Sequence, residues 1–472
     1  MAFSAPINNL KLETRNSSVQ TDTIAAISTP LGEAGIGIVR LSGPDAEAIA
    51  RRIFLPVQPR PKWLSHRLYL GHIVHPAEGV MDEVLLTLMR GPCTYTREDV
   101  VEINCHSGYG VLRRILQLVL DQGARLARPG EFTLRAFLSG RLDLTQAEAV
   151  LEVIQARTAA GLKVAAGHLK GGLGRRLRES RAALLDLLAV VEAALDFPEE
   201  AAEPAPESLK AGIDHQVSEL RDLSATYREG RLLREGLKVV IAGRPNAGKS
   251  SLLNRLLNLE RAIVSEIPGT TRDFIEETVT LSGVPVRLMD TAGLRIAKDQ
   301  VEEQGVRLTR ESLARADLAL YLMDGSRPLT DADRQALTEL AGQAGVAVIN
   351  KMDLPLQLSE AGLQAATPFP IVKISALTGE GILNLQQQII DLALGGGIRP
   401  EGEVITQARH HQHLQNALKY LRQALKLLGP EAPWELAALE LSEAIRELGE
   451  ITGEEVGDAV LDRIFGEFCI GK

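Results

Sequence analysis

The period of the apolar positions changes along the chain, and each change marks a change of architecture. Between Thr23 and Ser107 short apolar runs dominate: Ile24–Ile27, Ile36–Val39, Val84–Leu88 and Val100–Ile103. Runs of that length, rich in β-branched residues, predict strands. Helical spacing near Asp45–Ile53 and Tyr109–Asp121 interrupts them, which predicts a small α+β domain over residues 1–135. From Phe132 to Arg234 the period lengthens, with Leu184, Leu185, Leu188, Val191 and Leu195 on one stripe. This predicts the first part of a helical domain, residues 136–235. The charged, proline-bearing run from Asp196 to Pro206 reads as a solvated loop.

At Leu237 the grammar changes again. Apolar strands Leu237–Ala242, Val286–Met289, Leu318–Met323, Val346–Ile349 and Ile371–Ile374 alternate with helical stretches, which predicts a parallel sheet covered on both faces, an α/β domain over residues 236–395. Gly395-Gly396-Gly397 reads as an exit hinge, and helical periodicity resumes in residues 396–472. The flanking helices pack most economically on each other, so the α/β unit is expected to be an insertion whose ends lie close in space. The fold class is multidomain: α+β, a discontinuous helical bundle, and an inserted α/β domain.

Composition narrows the function classes. A net charge of −9 argues against a protein that coats nucleic acid through its overall field, so any RNA contact needs a local basic patch. Arg175, Arg176, Arg178 and Arg181 form the best local stripe, suited to phosphates but equally to an ordinary solvated helix face. The three cysteines, Cys93, Cys105 and Cys469, are too few and scattered for a disulfide framework, and a reducing cytoplasm is expected. No apolar stretch approaches the roughly eighteen residues of a spanning helix, so no membrane is expected. Residues 1–20 lack an apolar signal core and read as a frayed extension. His410, His411 and His413 lack the i, i+4 spacing of a metal face and read as solvated.

Gly243-Arg244-Pro245-Asn246-Ala247-Gly248-Lys249-Ser250 fits GxxxxGK[ST], directly after an apolar strand and before a helical stretch beginning Ser251-Leu252. Glycines there let backbone N–H groups wrap phosphates at a helix N-terminus, Lys249 adds a point charge, and Ser250 is the expected magnesium ligand. Asp290-Thr291-Ala292-Gly293 ends the next apolar strand, where a carboxylate can hold a metal-bound water and the Gly293 N–H can approach the γ-phosphate. Asn350-Lys351-Met352-Asp353 ends another strand. The Asp353 carboxylate can accept from guanine N1–H and the 2-amino group, whereas adenine would leave it unpaired, a mismatch worth roughly 10⁴ to 10⁵ in discrimination. Ser375-Ala376-Leu377 would bring a backbone N–H to guanine O6, and in Gly269-Thr270-Thr271 the second threonine is placed to complete the magnesium shell. Order, spacing and strand-end placement together predict a GTPase. The residue after Gly293 is Leu294, not the glutamine that orients water in Ras-type enzymes. Charge stabilisation worth about 10³ to 10⁵ in rate must come from elsewhere.

The chain resembles the tRNA-modifying GTPase family called MnmE or TrmE. The likeness rests on Gly32 through Arg40 to Gly43, Ala127-Arg128-Pro129-Gly130-Glu131-Phe132, Leu142-Asp143-Leu144-Thr145-Gln146-Ala147-Glu148-Ala149, the nucleotide motifs, and the ending Phe468-Cys469-Ile470-Gly471-Lys472. The nucleotide set becomes Asn246, Ala247, Gly248, Lys249, Ser250, Ser251, then Ser265, Glu266, Ile267, Pro268, Gly269, Thr270, Thr271, then Asp290 to Gly293, Asn350 to Asp353 and Ser375 to Leu377. Magnesium falls to Ser250 and Thr271. The resemblance implies GTPase domains that dimerise across their nucleotide faces with potassium in the arginine finger's place, held by Asn246, Ser265, Ile267 and Thr270, and Glu302 orienting the attacking water; by pattern alone Glu302 reads as an exposed helix-start residue.

It further implies a 5-formyltetrahydrofolate site at Arg40, Glu102 and Arg141, the last a lysine in many relatives. Without the family, Arg40 and Glu102 read equally well as a partly buried ion pair. The resemblance also implies a homodimer, and a flavin-dependent MnmG or GidA-type partner carrying FAD in a heterotetramer or larger assembly. Together they would modify C5 of the wobble uridine of tRNA with an aminomethyl or carboxymethylaminomethyl group. Cys469 is a candidate reactive thiol or an inert packed one. A ribosome-assembly GTPase and a nucleotide switch without tRNA chemistry are the alternatives.

Overall fold

The computed structural model describes residues 22–59, 61–197, 206–259, 276–290, 316–395, 402–428 and 433–472. The chain divides into two compact units. The first runs to Leu151 and adds Leu169–Glu179 and Leu448–Lys472; the second comprises Glu152–His168 and Ser180–Glu447. The last 25 or so residues thus belong with the N-terminal sheet and not with the helices that precede them.

The first unit contains β1 (Ile24–Ile27), β2 (Gly37–Ser42), α1 (Ala46–Ile53), β3 (Phe54–Pro56), β4 (Arg67–His75), β5 (Gly79–Met89), β6 (Val100–Cys105), α2 (Tyr109–Asp121), β7 (Arg125–Leu126) and α3 (Glu131–Leu138). Among the described residues its sheet has seven strands in the order β3-β4-β5-β6-β2-β1-β7. Val39, Leu41, Leu86, Leu88, Val101 and Ile103 point to one face, where Ile49 and Ile53 of α1 and Leu112, Ile115 and Val119 of α2 cover them. The opposite face carries a row across four strands, because Arg40 pairs with Glu102, Glu102 with Thr87 and Thr87 with Leu68. β4 was not legible as a strand: it sends Tyr69 and Ile73 inward and leaves Leu68 and Leu70 exposed, so apolar residues on both faces blur the period of two.

α4 (Leu144–Gln155) opens with a reciprocal cap. Asp143 Oδ1 accepts from Gln146 N at 2.9 Å and from Thr145 Oγ1 at 2.6 Å, while Gln146 Oε1 accepts from Asp143 N at 3.0 Å. This explains the Asp143-Leu144-Thr145-Gln146 run. Against it, Phe465 of helix Asp458–Gly466 and Phe468 pack on Leu144 and Ala147.

In the second unit, α5 (Ala159–Leu169), most of α6 (Gly172–Asp196), α7 (Pro206–Ala225) and α8 (Tyr227–Glu235) precede the inserted sheet. Of the expected α6 stripe, Leu184, Leu188 and Val191 are buried but Leu185 is exposed, since adjacent positions lie about 100° apart on a helix and only one side meets a partner. The basic stripe is likewise divided: Arg178 is bound to Asp143 at 2.7 Å, Arg175 is exposed and Arg181 half-buried.

The sheet domain comprises β8 (Leu237–Gly243), α9 (Lys249–Leu259), β9 (Glu276–Leu281), β10 (Val284–Asp290), β11 (Leu318–Asp324), α10 (Asp331–Leu340), β12 (Gly345–Asn350), α11 (Glu360–Gln364), β13 (Ile371–Lys373) and α12 (Ile382–Leu394). Its strand order is β13-β12-β11-β8-β10-β9. All pairs are parallel except β9, an edge strand antiparallel to β10. Strands buried on both faces, such as Val239, Val240 and Ile241, explain the continuous apolar runs.

α13 (Ala408–Leu427) and α14 (Trp434–Thr452) follow. The chain leaving the sheet domain returns beside the chain entering it: Ile405 N donates to Thr226 Oγ1 at 2.9 Å, and a Cβ on Gly230 of α8 would lie 2.2 Å from Ile405 O. The three α13 histidines are not the free solvated residues the spacing suggests. His410 is buried, His411 stacks on Tyr227 with centroids 4.3 Å apart, and His413 Nδ1 lies 2.7 Å from Glu447 Oε2. Aromatic and carboxylate neighbours, invisible to spacing, draw them in; burial holds His411 below the ordinary histidine range, against a hydrogen bond at Ser224.

Candidate functional site

β8 adjoins both β10 and β11, so strand order reverses there, and the crevice beyond the strands' carboxyl ends is the place for a ligand. Gly243, Asp290, Asp324 and Asn350 all end their strands on that side. The loop after β8 needs its glycines. Gly243 has φ +146° and would bring a Cβ within 2.3 Å of Leu322 O; Gly248 has φ +100° and a Cβ there would meet Asn350 Nδ2 at 2.2 Å. Asn246 adopts the left-handed conformation with φ 65°. Lys249 Nζ donates back to Gly243 O at 2.9 Å and Arg244 O at 3.0 Å, holding its charge within the loop. Ser250 follows in the first turn of α9.

Asn350 joins this loop to the loop 375–377. Its Nδ2 donates to Ala247 O at 2.8 Å and its Oδ1 accepts from Ala376 N at 3.0 Å, with the residue itself buried. Lys351, at φ 66°, binds Asp324 Oδ2 at 2.6 Å. Burial alone would raise the Asp324 pKa, but the Lys351 and Ser326 hydrogen bonds outweigh it and hold the carboxyl below its ordinary value. Ser375 Oγ donates to Asp353 Oδ1 at 2.5 Å, which fixes the carboxylate's orientation. Gly248, Ser251, Asn350, Lys351, Asp353, Ala376 and Leu377 line a single cavity of about 640 Å³. Leu377 is 75% exposed there, offering an apolar flank to a planar ring.

The structure therefore brings the loop 246–251, the stretch 350–353 and the loop 375–377 together. Met352 lies in the same turn, its N–H on Ile374 O at 3.2 Å. Ser265, Glu266, Ile267, Pro268, Gly269, Thr270, Thr271, Thr291, Ala292, Gly293 and Glu302 lie outside the described residues, as does the side chain of Asp290. For magnesium and a nucleotide, the fit rests on the glycine cradle, the Lys249 charge and the Ser250 hydroxyl at the helix start.

A second polar cluster occupies the face of the N-terminal sheet opposite α1 and α2. Arg40 Nε binds Glu102 Oε1 at 2.8 Å, the ion pair that neighbouring strand positions allow. Arg40 also lies over the Phe132 ring and donates to Gly471 O at 3.2 Å. Arg141 stacks over Tyr95, 4.9 Å from its centroid, and the Tyr95 hydroxyl is 3.0 Å from Thr133 Oγ1. Burial pushes the Tyr95 phenol up, against the fields of both Arg141 and Arg40. Tyr95 and Lys472 were not recognised from sequence. Burial first, and then the Arg40 charge, hold the Lys472 ammonium below its ordinary range.

The Ala127–Phe132 motif supports this cluster. Glu131 is buried: burial raises its pKa, yet the Arg125 hydrogen bond, the Arg128 N–H and Arg135 outweigh that and keep it low. Gly130, at φ 65°, admits Phe465 O where a Cβ would come within 2.6 Å, and Phe132 N donates to Lys472 O at 3.2 Å. The chain's last residues are thus held against Arg40. Cys469 is exposed and unbridged beside them; Cys93 and Cys105 are also free thiols, and burial pushes Cys105 up to about 11. No His/Cys/Asp/Glu metal cluster exists among the described residues. No helix among them is long and apolar enough to cross a membrane.

A parallel sheet with a glycine cradle after its first strand, and a carboxylate and asparagine at its far end, defines a P-loop GTPase. Comparison with known proteins narrows this. A family profile described as MnmE helical domain matches residues 144–469, and one described as GTP-binding protein TrmE N-terminus matches residues 23–141. The tRNA modification GTPase MnmE of Chloroflexus aurantiacus is 49% identical over 453 residues, covering 96% of this chain and 100% of that protein. The protein of the same name from Moorella thermoacetica is 49% identical over 460 residues, covering 96% and 99%. The chain belongs to the MnmE (TrmE) family of tRNA modification GTPases.

Proposed function

We propose that this chain hydrolyses GTP to drive modification of tRNA at C5 of the wobble uridine, acting as a homodimer with a flavin-dependent MnmG or GidA-type partner. The observation that supports the nucleotide half is the pair of hydrogen bonds from Asn350, one to Ala247 O and one from Ala376 N, which hold the loops 246–251 and 375–377 at one cavity that Asp353 also lines. Asp353, oriented by Ser375, accepts from the guanine N1–H and amine, Lys249 holds the phosphates, and Ser250 with Thr271 holds magnesium. Bound magnesium, and potassium at Asn246, Ser265, Ile267 and Thr270, would supply positive charge to the phosphate oxygens. Glu302 is assigned to water orientation. Hydrolysis drives a conformational cycle and does not supply the carbon.

The tRNA half of the proposal is supported by family membership and by the Arg40 cluster. Guanidiniums at Arg40 and Arg141 and the Lys472 ammonium suit the carboxylates of a folate, and Glu102 suits the amine-bearing edge of a pterin. A folate there supplies a one-carbon unit; the chain's residues bind and orient it. Leu55, Val57, Leu68, Leu70 and Leu85 stand exposed around the β3-β4-β5 end of the sheet, an apolar patch that supports dimerisation through this domain. Mass spectrometry of wobble uridines from a strain lacking the gene tests the tRNA assignment, and an unchanged modification profile refutes it. GTPase rates in potassium and sodium buffers test the cation; equal rates refute it.

A further inference from the structure

The base-reading loop is gripped on a second side by a residue no nucleotide motif includes. Arg255 lies in α9, after the Lys249-Ser250-Ser251 turn, half-buried at the wall of the same cavity. Its Nε donates to Ala376 O at 3.1 Å, and its Nη2 donates to Leu377 O. Two successive carbonyls are therefore turned toward one guanidinium. Ala376 N–H is held from the other direction by Asn350 Oδ1 at 3.0 Å, and Thr378 N–H by Ser375 Oγ at 3.1 Å. Gly379 follows with φ +94°, and a Cβ built there would lie 3.7 Å from the same guanidinium, so the loop runs on beside it.

A trans peptide points its C=O and the following N–H in opposite directions. With Ala376 O drawn to Arg255, the Leu377 N–H is directed away from α9. A cation on the carbonyl oxygen also polarises the peptide and strengthens the donor at its other end. Guanine differs from adenine on this edge by an acceptor oxygen at C6 in place of a donor amine, so the polarity of this loop decides which purine it tolerates.

We propose that Arg255 is a specificity-positioning residue: its guanidinium clamps the Ala376 and Leu377 carbonyls and so commits the loop to presenting the Leu377 N–H to a purine that carries oxygen at C6. This rests on the reading of the cavity as a guanine site. Asp353 senses N1–H and the 2-amino group, and Arg255 acts, through the loop, on the sixth position.

The test measures dissociation constants for GDP, IDP and ADP, with steady-state GTPase kinetics, on the full chain, in wild type, R255A, R255K and D353N. GDP and IDP share the C6 oxygen and differ in the 2-amino group. R255A should weaken both about tenfold, roughly 1.4 kcal/mol, leaving their ratio unchanged and narrowing the preference over ADP. KM for GTP should rise while kcat holds, and R255K should recover part of the loss by reaching one carbonyl. R255A with GDP affinity within twofold of wild type overturns the proposal, and so does an equal loss for ADP or a fall in kcat at unchanged KM. D353N separates the two layers. If it fails to trade GDP for xanthosine diphosphate, the guanine reading of the cavity falls; if it makes that trade while R255A is silent, only the role of Arg255 falls.

Discussion

Glu152 is the most exacting place to perturb the helical unit. It sits in the last turns of α4, 7% exposed, and its two oxygens accept from three side chains: Thr406 Oγ1 at 2.5 Å, Gln407 Nε2 at 2.9 Å and His168 Nδ1 at 3.0 Å. His168 Nε2 in turn donates to Val404 O at 2.7 Å. The pair therefore fastens α5 to residues 404–407, where the chain returns from the sheet domain. Burial pushes the Glu152 pKa up, yet the His168 and Thr406 hydrogen bonds outweigh it and leave it depressed. For His168 burial pushes down, and the Glu152 hydrogen bond and charge, with Val404 O and Glu403, raise it.

A raised histidine stabilises fully below its unfolded pKa near 6.5 and loses that contribution as pH climbs through the folded value; a depressed carboxylate stabilises above about 4.3 and loses its contribution as pH falls through its folded value. Between those limits, Glu152→Ala orphans a buried imidazolium, which costs about 3 to 5 kcal/mol. At pH 8.5 the variant's His168 sheds its proton, and what remains is the loss of an acceptor for buried Thr406 and for Gln407, and of the charge 3.9 Å from Arg234, about 1 to 3 kcal/mol for each buried group left unpaired. Glu152→Gln keeps that acceptor and should cost least at high pH. Hydrogen exchange of the 404–407 amides and calorimetric unfolding between pH 5.5 and 9 measure this. A penalty independent of pH, or larger at pH 8.5 than at pH 6, refutes the coupled-pair reading.

Other outcomes follow from the sites. Asn350→Ala cuts the phosphate loop from the base loop, and nucleotide affinity should fall by about 2 to 4 kcal/mol, read by calorimetry with GDP; wild-type affinity would contradict the bracing role. Gly248→Ala combines φ +100° with a contact on a tethered amide, and should abolish nucleotide binding with the fold intact by circular dichroism. Arg40→Ala strands Glu102 and frees Gly471 O, so folate binding by equilibrium dialysis should be lost while GTP affinity is unchanged; retained folate binding removes that site. Alkylation of Cys469 should suppress tRNA modification without lowering GTPase turnover, and full modification by the alkylated protein would make it a packing residue only.

Much of this protein is written locally. The phosphate loop is legible because wrapping a phosphate demands glycines and a lysine at fixed offsets, and Gly243, Gly248 and Lys249 occupy them within one turn of chain. Buried parallel strands announce themselves as unbroken apolar runs, and the Asp143 cap as a short polar run ahead of a helix. Tertiary structure alone decided the rest. Arg255 and Leu377 are 122 positions apart and meet only because β8 and β13 lie in one sheet with α9 against it. Lys472 reaches Arg40 across 432 positions, and His411 and His413 of α13 are engaged by Tyr227 and Glu447 from other helices. Periodicity reports which face of an element is apolar, whereas the partner of a polar side chain is fixed by long-range packing, and a sequence pattern carries no record of that distance.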